Sequence, residues 1–348
     1  MEITRRRALS FGALLLAAPT IAACSTGSAN GAQQSTTAMS TDSFPVTIQH
    51  AFGETIIEKA PTRVVAAGWG GLDLALGYGV IPVAAPLETW GANENGSMPW
   101  TDEAMKALGV EWGSEKAPVQ YSTADGNNYV EVAKAQPDLI ICVHSGLTKE
   151  DYEQFSKIAP TLAYPGKPWS TSWQDATTMV GQALGQSAKA KQLVDETTQF
   201  IKDQAGAYPE IKGKTFISTA ISPGSASPLW IYGPNDARSL IMKDLGLSVS
   251  PVIEKAIANG FNVTEPWAPE RAKELEADLV INWVPDGQPK EAAINDPLIG
   301  QIPALKRGSY VAEPDLATNN SLTVSTPLGI RWGLEKFVPQ FAEALKNA

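Results

Sequence analysis

Residues 172–205 read SWQDATTMVGQALGQSAKAKQLVDETTQFIKDQA, and the reading of this stretch decides the architecture. Ala176, Val180, Ala183, Leu184, Ala188, Leu193, Val194, Phe200 and Ile201 recur at three- and four-residue spacing, the period of an amphipathic helix. Gly181 and Gly185 weaken that helix but need not break it. At 1.5 Å per residue, a helix of about 34 residues spans about 50 Å, too long for one face of one lobe. The stretch therefore reads as a connector running along two lobes.

The flanks agree. Residues 44–50 and 53–57 alternate apolar and polar side chains and predict a hairpin turning near Ala51 to Gly53. Strands over 63–67, 81–85, 138–143 and 161–163 then alternate with helices over 72–76, 129–135 and 149–156. Beyond Pro209 a strand over 214–218, helices over 237–245 and 269–276 and a strand over 278–283 continue the alternation, and 327–345 reads as a closing helix. Strands alternating with helices imply parallel pairing through crossover helices. An internal echo supports two related lobes: Glu131-Val132-Ala133-Lys134 precedes Asp138-Leu139, and Glu270-Arg271-Ala272-Lys273 precedes Asp278-Leu279.

The N-terminus is of a different kind. Arg5-Arg6-Arg7, an apolar run from Ala8 to Ala23 and the small residues before Cys24 predict a secretory signal over 1–23, of twin-arginine type. Cys24 looks like the lipidated cysteine of a bacterial lipobox, which places the mature protein on the outer face of the cytoplasmic membrane. Pro19 and the shortness of the run argue against a transmembrane helix. Residues 24–43, rich in Ser, Thr, Gly, Ala, Asn and Gln, read as a flexible tether.

Composition excludes several functions. The chain has 348 residues and a net charge of −10, and losing Glu2 with the three arginines of the signal makes it two units more negative. Such a body repels nucleic acid. The only histidines, His50 and His144, are too few for an imidazole-rich metal site, so no protein-held metal is expected. With Cys24 lipidated, Cys142 has no disulfide partner and reads as a small core residue in a buried strand. No Gly-x-Ser-x-Gly elbow appears and Cys142 lacks an evident partner, which leaves an enzyme as a remote alternative.

Six pieces in chain order carry a family resemblance: Phe44-Pro45-Val46-Thr47-Ile48 with Gly53; Pro61-Thr62-Arg63-Val64-Val65; Leu76-Gly77-Tyr78-Gly79-Val80-Ile81-Pro82-Val83; Pro137-Asp138-Leu139-Ile140; Ile158-Ala159-Pro160-Thr161; and Ala277-Asp278-Leu279-Val280. Behind a lipobox, they resemble the substrate-binding lipoproteins of iron–siderophore and cobalamin ABC importers, the siderophore branch most closely. The resemblance implies two Rossmann-like α/β lobes joined by one long helix with a ligand cleft between them. It divides the chain into an N-terminal lobe (44–170), the connecting helix (171–206) and a C-terminal lobe (207–348). It implies a monomer, no catalysis, no cofactor, a ferric siderophore as ligand and an ABC permease as partner. Cobalamin or haem is the alternative ligand, with His144 and Met98 the only candidate haem ligands.

Ligands of open parallel sheets sit at the carboxyl ends of strands. Gly68-Trp69-Gly70-Gly71 follows the first predicted strand; the glycines allow a ligand to approach and Trp69 offers a flat face, although a helix-entry turn with a packed Trp is the equal alternative. Trp169 and Trp173, ahead of the connector, read as pins for the helix. By resemblance, Arg238, in Gly233-x-x-x-x-Arg238, faces the cleft, and Trp283 contacts ligand at a strand end, with Trp230 and Tyr232 as weaker candidates. An aromatic-rich, cation-poor set suits a neutral ferric tris-hydroxamate or mixed chelate over a tris-catecholate carrying three negative charges. The resemblance also implies one permease-docking glutamate on each lobe. Glu270 stands eight residues before Asp278; the same spacing before Asp138 gives Val130, and Glu131 lies one residue off.

Overall fold

The computed structural model describes residues 42–224, 229–258, 264–283 and 289–348. The expected signal over 1–23, Cys24 and the tether before Asp42 lie outside the described residues.

Strands β1 (Val46–His50) and β2 (Gly53–Ile57) form the expected hairpin, with Val46 opposite Ile57 and His50 opposite Gly53. The first sheet has the order β5-β4-β3-β6-β7 and is parallel throughout: β3 (Val64–Ala66), β4 (Ala84–Pro86), β5 (Val119–Tyr121), β6 (Leu139–Cys142) and β7 (Thr161–Ala163). Its connections carry α1 (Gly71–Gly77), α2 (Pro99–Ala107), α3 (Tyr129–Lys134) and α4 (Lys149–Ser156). The two-residue period of a strand sorts its side chains onto two covered faces. Val64, Leu139, Ile141 and Leu162 join one core cluster with Ile48 and Ile57, while Val65, Ile140 and Cys142 join another with Phe155.

The predicted connector is two helices, α5 (Trp173–Ala183) and α6 (Ser187–Ala207). Gly185 adopts the left-handed conformation, φ +69°. Its N–H reaches the Gln182 carbonyl at 3.0 Å, and Gln186 N–H reaches the Gly181 carbonyl at 2.7 Å. These are the paired bonds that close a helix on a glycine, and they satisfy carbonyls that a continuous helix would have used. The start of α6 is covered from outside: the Asp42 carboxylate accepts from Ser187 N–H at 2.9 Å, and Asp42 N–H donates to the Gly185 carbonyl. Asp42, within the segment read as tether, is thus bonded to the start of α6. Helix α6 still spans both lobes, since Leu193 packs with the first-lobe core and Val194 and Phe200 with the second.

The second sheet is mixed, with the order β11-β9-β8-β12-β13. Strands β8 (Thr215–Ala220), β10 (Ser248–Val249), β12 (Leu279–Asn282) and β13 (Tyr310–Ala312) run parallel; β9 (Leu229–Tyr232) is antiparallel to β8 and β11 (Thr264–Trp267) antiparallel to β9. Residues 221–228 are too few for a crossover of a dozen residues or more, so β8 and β9 pair as a hairpin. Helices α7 (Ala237–Asp244), α8 (Pro251–Ala258), α9 (Lys290–Asn295), α10 (Pro303–Arg307), α11 (Leu316–Thr323) and α12 (Pro327–Leu345) complete the chain. The predicted helix over 269–276 is a 3-10 turn, Pro269–Glu274.

The sequence echo is a repeated joint. Asp138 precedes β6 and its carboxylate accepts from Thr62 N–H, Thr62 Oγ1 and Arg63 N–H, just ahead of β3. Asp278 precedes β12 and accepts from Thr215 N–H at 2.7 Å and Thr215 Oγ1 at 2.8 Å, at the head of β8. In each sheet one aspartate ties together the entries of two neighbouring parallel strands.

Helix α12 is a second bridge. Leu328, at its start, packs with Leu76, Met105 and Val110 of the first lobe, whereas Phe337, Val338 and Phe341 lie in the second-lobe core.

Candidate functional site

The loops at the carboxyl ends of the first sheet gather aromatic side chains. Trp69 follows β3, Trp90 follows β4, His144 follows β6 and Trp169 follows β7. Trp69 lies 6.2 Å from Trp90 and 6.4 Å from Trp169 between ring centroids, and Trp169 lies 5.7 Å from His144. Edge-to-face and tilted contacts at these distances stabilise aromatic clusters. Trp169 is 44% exposed and has φ +59°, rare for an aromatic residue. Its ring lies over Gly146, where a Cβ would come within 2.7 Å of the indole. Trp169 therefore lines the same surface as Trp69, while Trp173 pins α5 to the second lobe through Nε1 and the Asp244 carboxylate, 3.0 Å.

The glycines around Trp69 serve tight chain packing. A Cβ on Gly68 would fall 2.8 Å from the Cys142 Cα, and one on Gly70 (φ +73°) would fall 2.4 Å from Val324 Cγ1. Val324 belongs to the corner between α11 and α12, and from α11 Asn320 Nδ2 donates to the Trp90 carbonyl at 2.6 Å. The second lobe thus braces both loops that carry Trp69 and Trp90. Beneath Trp69 a cavity of about 30 Å³ holds two carboxyls, Asp73 and Glu88. Asp73 is buried, which raises its pKa, and it accepts from Trp100 Nε1 and Thr101 Oγ1, each 2.6 Å, and Thr326 Oγ1, 3.2 Å. Glu88 is pushed up to about 7 by burial and by the nearby Asp73 charge, partly offset by the neighbouring Trp69 side chain.

In the second lobe, Asp236 caps α7 and grips Arg238: Nε to Oδ1 is 2.7 Å and Nη2 to Oδ2 is 2.8 Å. The guanidinium lies 3.5 Å from the Tyr232 ring centroid. Burial opposes the Arg238 charge, but the Asp236 carboxylate holds its pKa above the usual range. Burial pushes His144 down to about 4, while Asp236 raises it and Arg238 lowers it. The α7 start and the β6 end are thus within electrostatic reach of each other, and His144 is neutral at pH 7. Trp230 is 41% exposed and shares a face of β9 with Tyr232, opposite buried Leu229 and Ile231.

Trp283 corrects the sequence reading. It follows β12, but its ring is fully buried and packs 5.3 Å from Phe337 of α12. The covering helix places this strand end in the core, so no ligand in the cleft reaches Trp283 in this conformation. The two candidate haem ligands, His144 and Met98, are also buried. Among the described residues no group of three His, Cys, Asp or Glu side chains is arranged to hold a metal, and no helix is long and apolar enough to cross a membrane.

Glu131 lies on α3, half-buried and ion-paired with Lys134 at 2.6 Å, and Glu270 is exposed on the 3-10 turn. Each precedes one of the paired aspartate joints. Val130, at the eight-residue spacing, is exposed. Sequence reading missed Trp90, Glu88 and Asp236. The strand-end rule could have found the first two, because both follow the strand predicted over 81–85.

Two α/β lobes bridged by helices, with aromatic loops at the strand ends of the first, fit a ligand-binding protein of the two-lobed importer type. The periplasmic binding protein family model matches residues 75–312, and the chain belongs to that family. A crystal structure of Streptococcus pneumoniae PiaA in complex with ferrichrome is 33% identical, with a TM-score of 0.79 over 87% of this chain and 99% of that one. Another of the same protein, described as an iron uptake ABC transporter substrate-binding protein, is 34% identical, with a TM-score of 0.75 over 87% and 100%. A periplasmic solute binding protein from Mycobacterium smegmatis is 26% identical, with a TM-score of 0.71 over 86% and 99%. No curated protein matches the chain.

Proposed function

We propose that this protein is the extracytoplasmic substrate-binding component of an ABC importer, that it captures a ferric siderophore, and that it delivers the chelate to a permease. The observation that carries this reading is the Trp69–Trp90–Trp169 wall at the strand ends, in a chain 33% identical to a protein crystallised with ferrichrome. The process is capture without chemistry. Indole faces cover the apolar flanks of the chelate, and the Arg238 N–H groups not used by Asp236 offer hydrogen bonds to its oxygens. Trp230 and Tyr232 extend the second-lobe surface.

The electrostatics favour a hydroxamate or mixed chelate. Arg238 is neutralised by Asp236, and His144 is uncharged at pH 7. A ferric tris-catecholate with three negative charges would meet no free cation among these residues, whereas a ferric tris-hydroxamate is neutral.

The lobes run over 44–170 and 207–348, with 171–206 between them. Cys24 carries the lipid, the segment to Asp42 is a tether of roughly 25 Å root-mean-square reach, and Glu270 with Glu131 meets the permease. The protein works as a monomer on the outer face of the membrane.

Tryptophan fluorescence tests the ligand class. Ferric hydroxamates should quench at lower concentration than ferric tris-catecholates, cobalamin or haem. Tight cobalamin or haem binding with no response to iron chelates would replace the siderophore reading, and clearly higher affinity for a tris-catecholate would overturn the hydroxamate preference.

A further inference from the structure

Asp236 carries a charge that its place in the fold does not require. It is the N-cap of α7, and Oδ1 accepts from Arg238 N–H at 3.0 Å. A neutral Ser, Thr or Asn caps a helix as well, so capping does not call for a carboxylate. The Asp236 side chain is only 2% exposed, and an ionised group so enclosed is costly unless it is paired. Its partner is Arg238. Oδ1 also receives Nε–H at 2.7 Å, and Oδ2 receives Nη2–H at 2.8 Å, a two-pronged grip on one edge of the guanidinium. The guanidinium carbon meanwhile lies 3.5 Å from the Tyr232 ring centroid, so one face is covered too. Of the five N–H donors of an arginine side chain, Asp236 takes two and leaves three. Their directions are set by the grip and the ring, not by a free side-chain stem.

We propose that Asp236 is a specificity-determining residue of the ligand site: its carboxylate converts Arg238 from a cation that would draw anionic chelates into a fixed, charge-compensated donor, and so selects chelates without net charge. This rests on the ligand-site reading above. An unpaired guanidinium would attract a ferric tris-catecholate, whose three negative charges add to the pull. Beside Asp236 the attraction of Arg238 and the repulsion of the carboxylate nearly cancel at the distance of a bound chelate. A neutral tris-hydroxamate loses little by this, because its oxygens need oriented donors and not charge. Discrimination then comes from a repulsive group placed next to the attractive one.

The test compares the Kd of ferrichrome with that of ferric enterobactin, a tris-catecholate, at pH 7.5. The ratio should follow the summed charge of the pair. Asp236→Asn and Asp236→Ser, which keep a helix cap, should move it about tenfold toward the tris-catecholate. Arg238→Gln should move it about tenfold the other way. The double variant Asp236→Asn with Arg238→Gln, which leaves no lone charge, should return it to within about threefold of wild type. Tris-catecholate binding to Asp236→Ser should also weaken as salt rises from about 50 to 500 mM. A structural role alone would shift both chelates together and would not give opposite signs. A ratio unmoved in both Asp236 variants, a shift of the same sign on removing either charge, or a wild type that already prefers the tris-catecholate would overturn the proposal. Should neither chelate bind the wild type, the ligand reading falls. The ¹⁵N–¹H signal of Arg238 Nε in the ligand-free protein, protected from exchange in the wild type and lost in Asp236→Ser, still decides whether Asp236 holds Arg238.

Discussion

At the scale of single residues, charges in the cleft are present but already committed. Asp236 and Arg238 share two short hydrogen bonds, and the carboxylate side chain is almost wholly enclosed. Removing one partner leaves a buried charge without compensation. Arg238→Ala is therefore expected to cost about 3 kcal/mol of stability as well as ligand affinity, read from the urea midpoint and from the chelate titration. Glu88 and His144 predict opposite pH effects. With its pKa raised from 4.5 to about 7, Glu88 contributes stability that is lost as pH rises through this interval. Glu88→Gln should thus gain on the wild type across it, by about 2 kcal/mol at pH 8. His144, lowered from 6.5 to about 4, contributes stability lost as pH falls through that range. His144→Gln should narrow its deficit against the wild type on acidification. Thermal unfolding of the variants at pH 4.5, 6 and 8 checks both signs. Arg238 is marked by the family resemblance, whose Gly-x-x-x-x-Arg pattern it matches, and it stands at the start of α7. Trp283 misleads because a residue just past a strand faces cleft or core according to the helix that covers it, and no local pattern names that helix.

At the scale of elements, the connector is the instructive case. Its apolar period holds across the whole stretch, and that period predicts one helix. The break comes from Gly185, whose left-handed backbone lets two reversed hydrogen bonds close α5 before α6 begins. Periodicity reports which face is buried; it does not report a three-residue interruption that preserves the face. Gly185→Ala should lower stability by about 1 kcal/mol without fusing the helices, because Asp42 and the packing of both helices fix the corner. A denaturant series together with unchanged helical circular dichroism checks this. The mixed second sheet has a similar lesson. Strand composition is readable, but the direction of β9 follows from the length of the link to β8.

At the scale of the whole molecule, two helices and a corner join the lobes. Helices α6 and α12 each have residues in both cores, and Val324 and Asn320 brace the loops that bear Trp69 and Trp90. The aromatic wall is consequently built by one lobe and supported by the other. Val324 and Asn320 thereby tie the loops that bear Trp69 and Trp90 to the position of the second lobe. Glu270 is exposed and remote in sequence from the cleft residues, so Glu270→Lys should leave chelate affinity within about twofold of wild type while reducing uptake at least tenfold if it meets a permease arginine. Uptake of radiolabelled iron beside a fluorescence titration separates the two effects.

By itself the sequence determined the α/β class, the two lobes, the hairpin, the buried Cys142 strand and the internal echo around Asp138 and Asp278, because hydrophobic period is local. It also marked Trp69, which stands at a strand end where the strand-end rule applies, and Arg238, through the family resemblance. Only the tertiary structure decided that Trp90 and Trp169 join Trp69, that Trp283 is core, that Asp236 neutralises Arg238 and that Glu88 lies beside Asp73. Each of those depends on which distant segments pack together, a matter of close packing between elements that no single stretch of chain encodes.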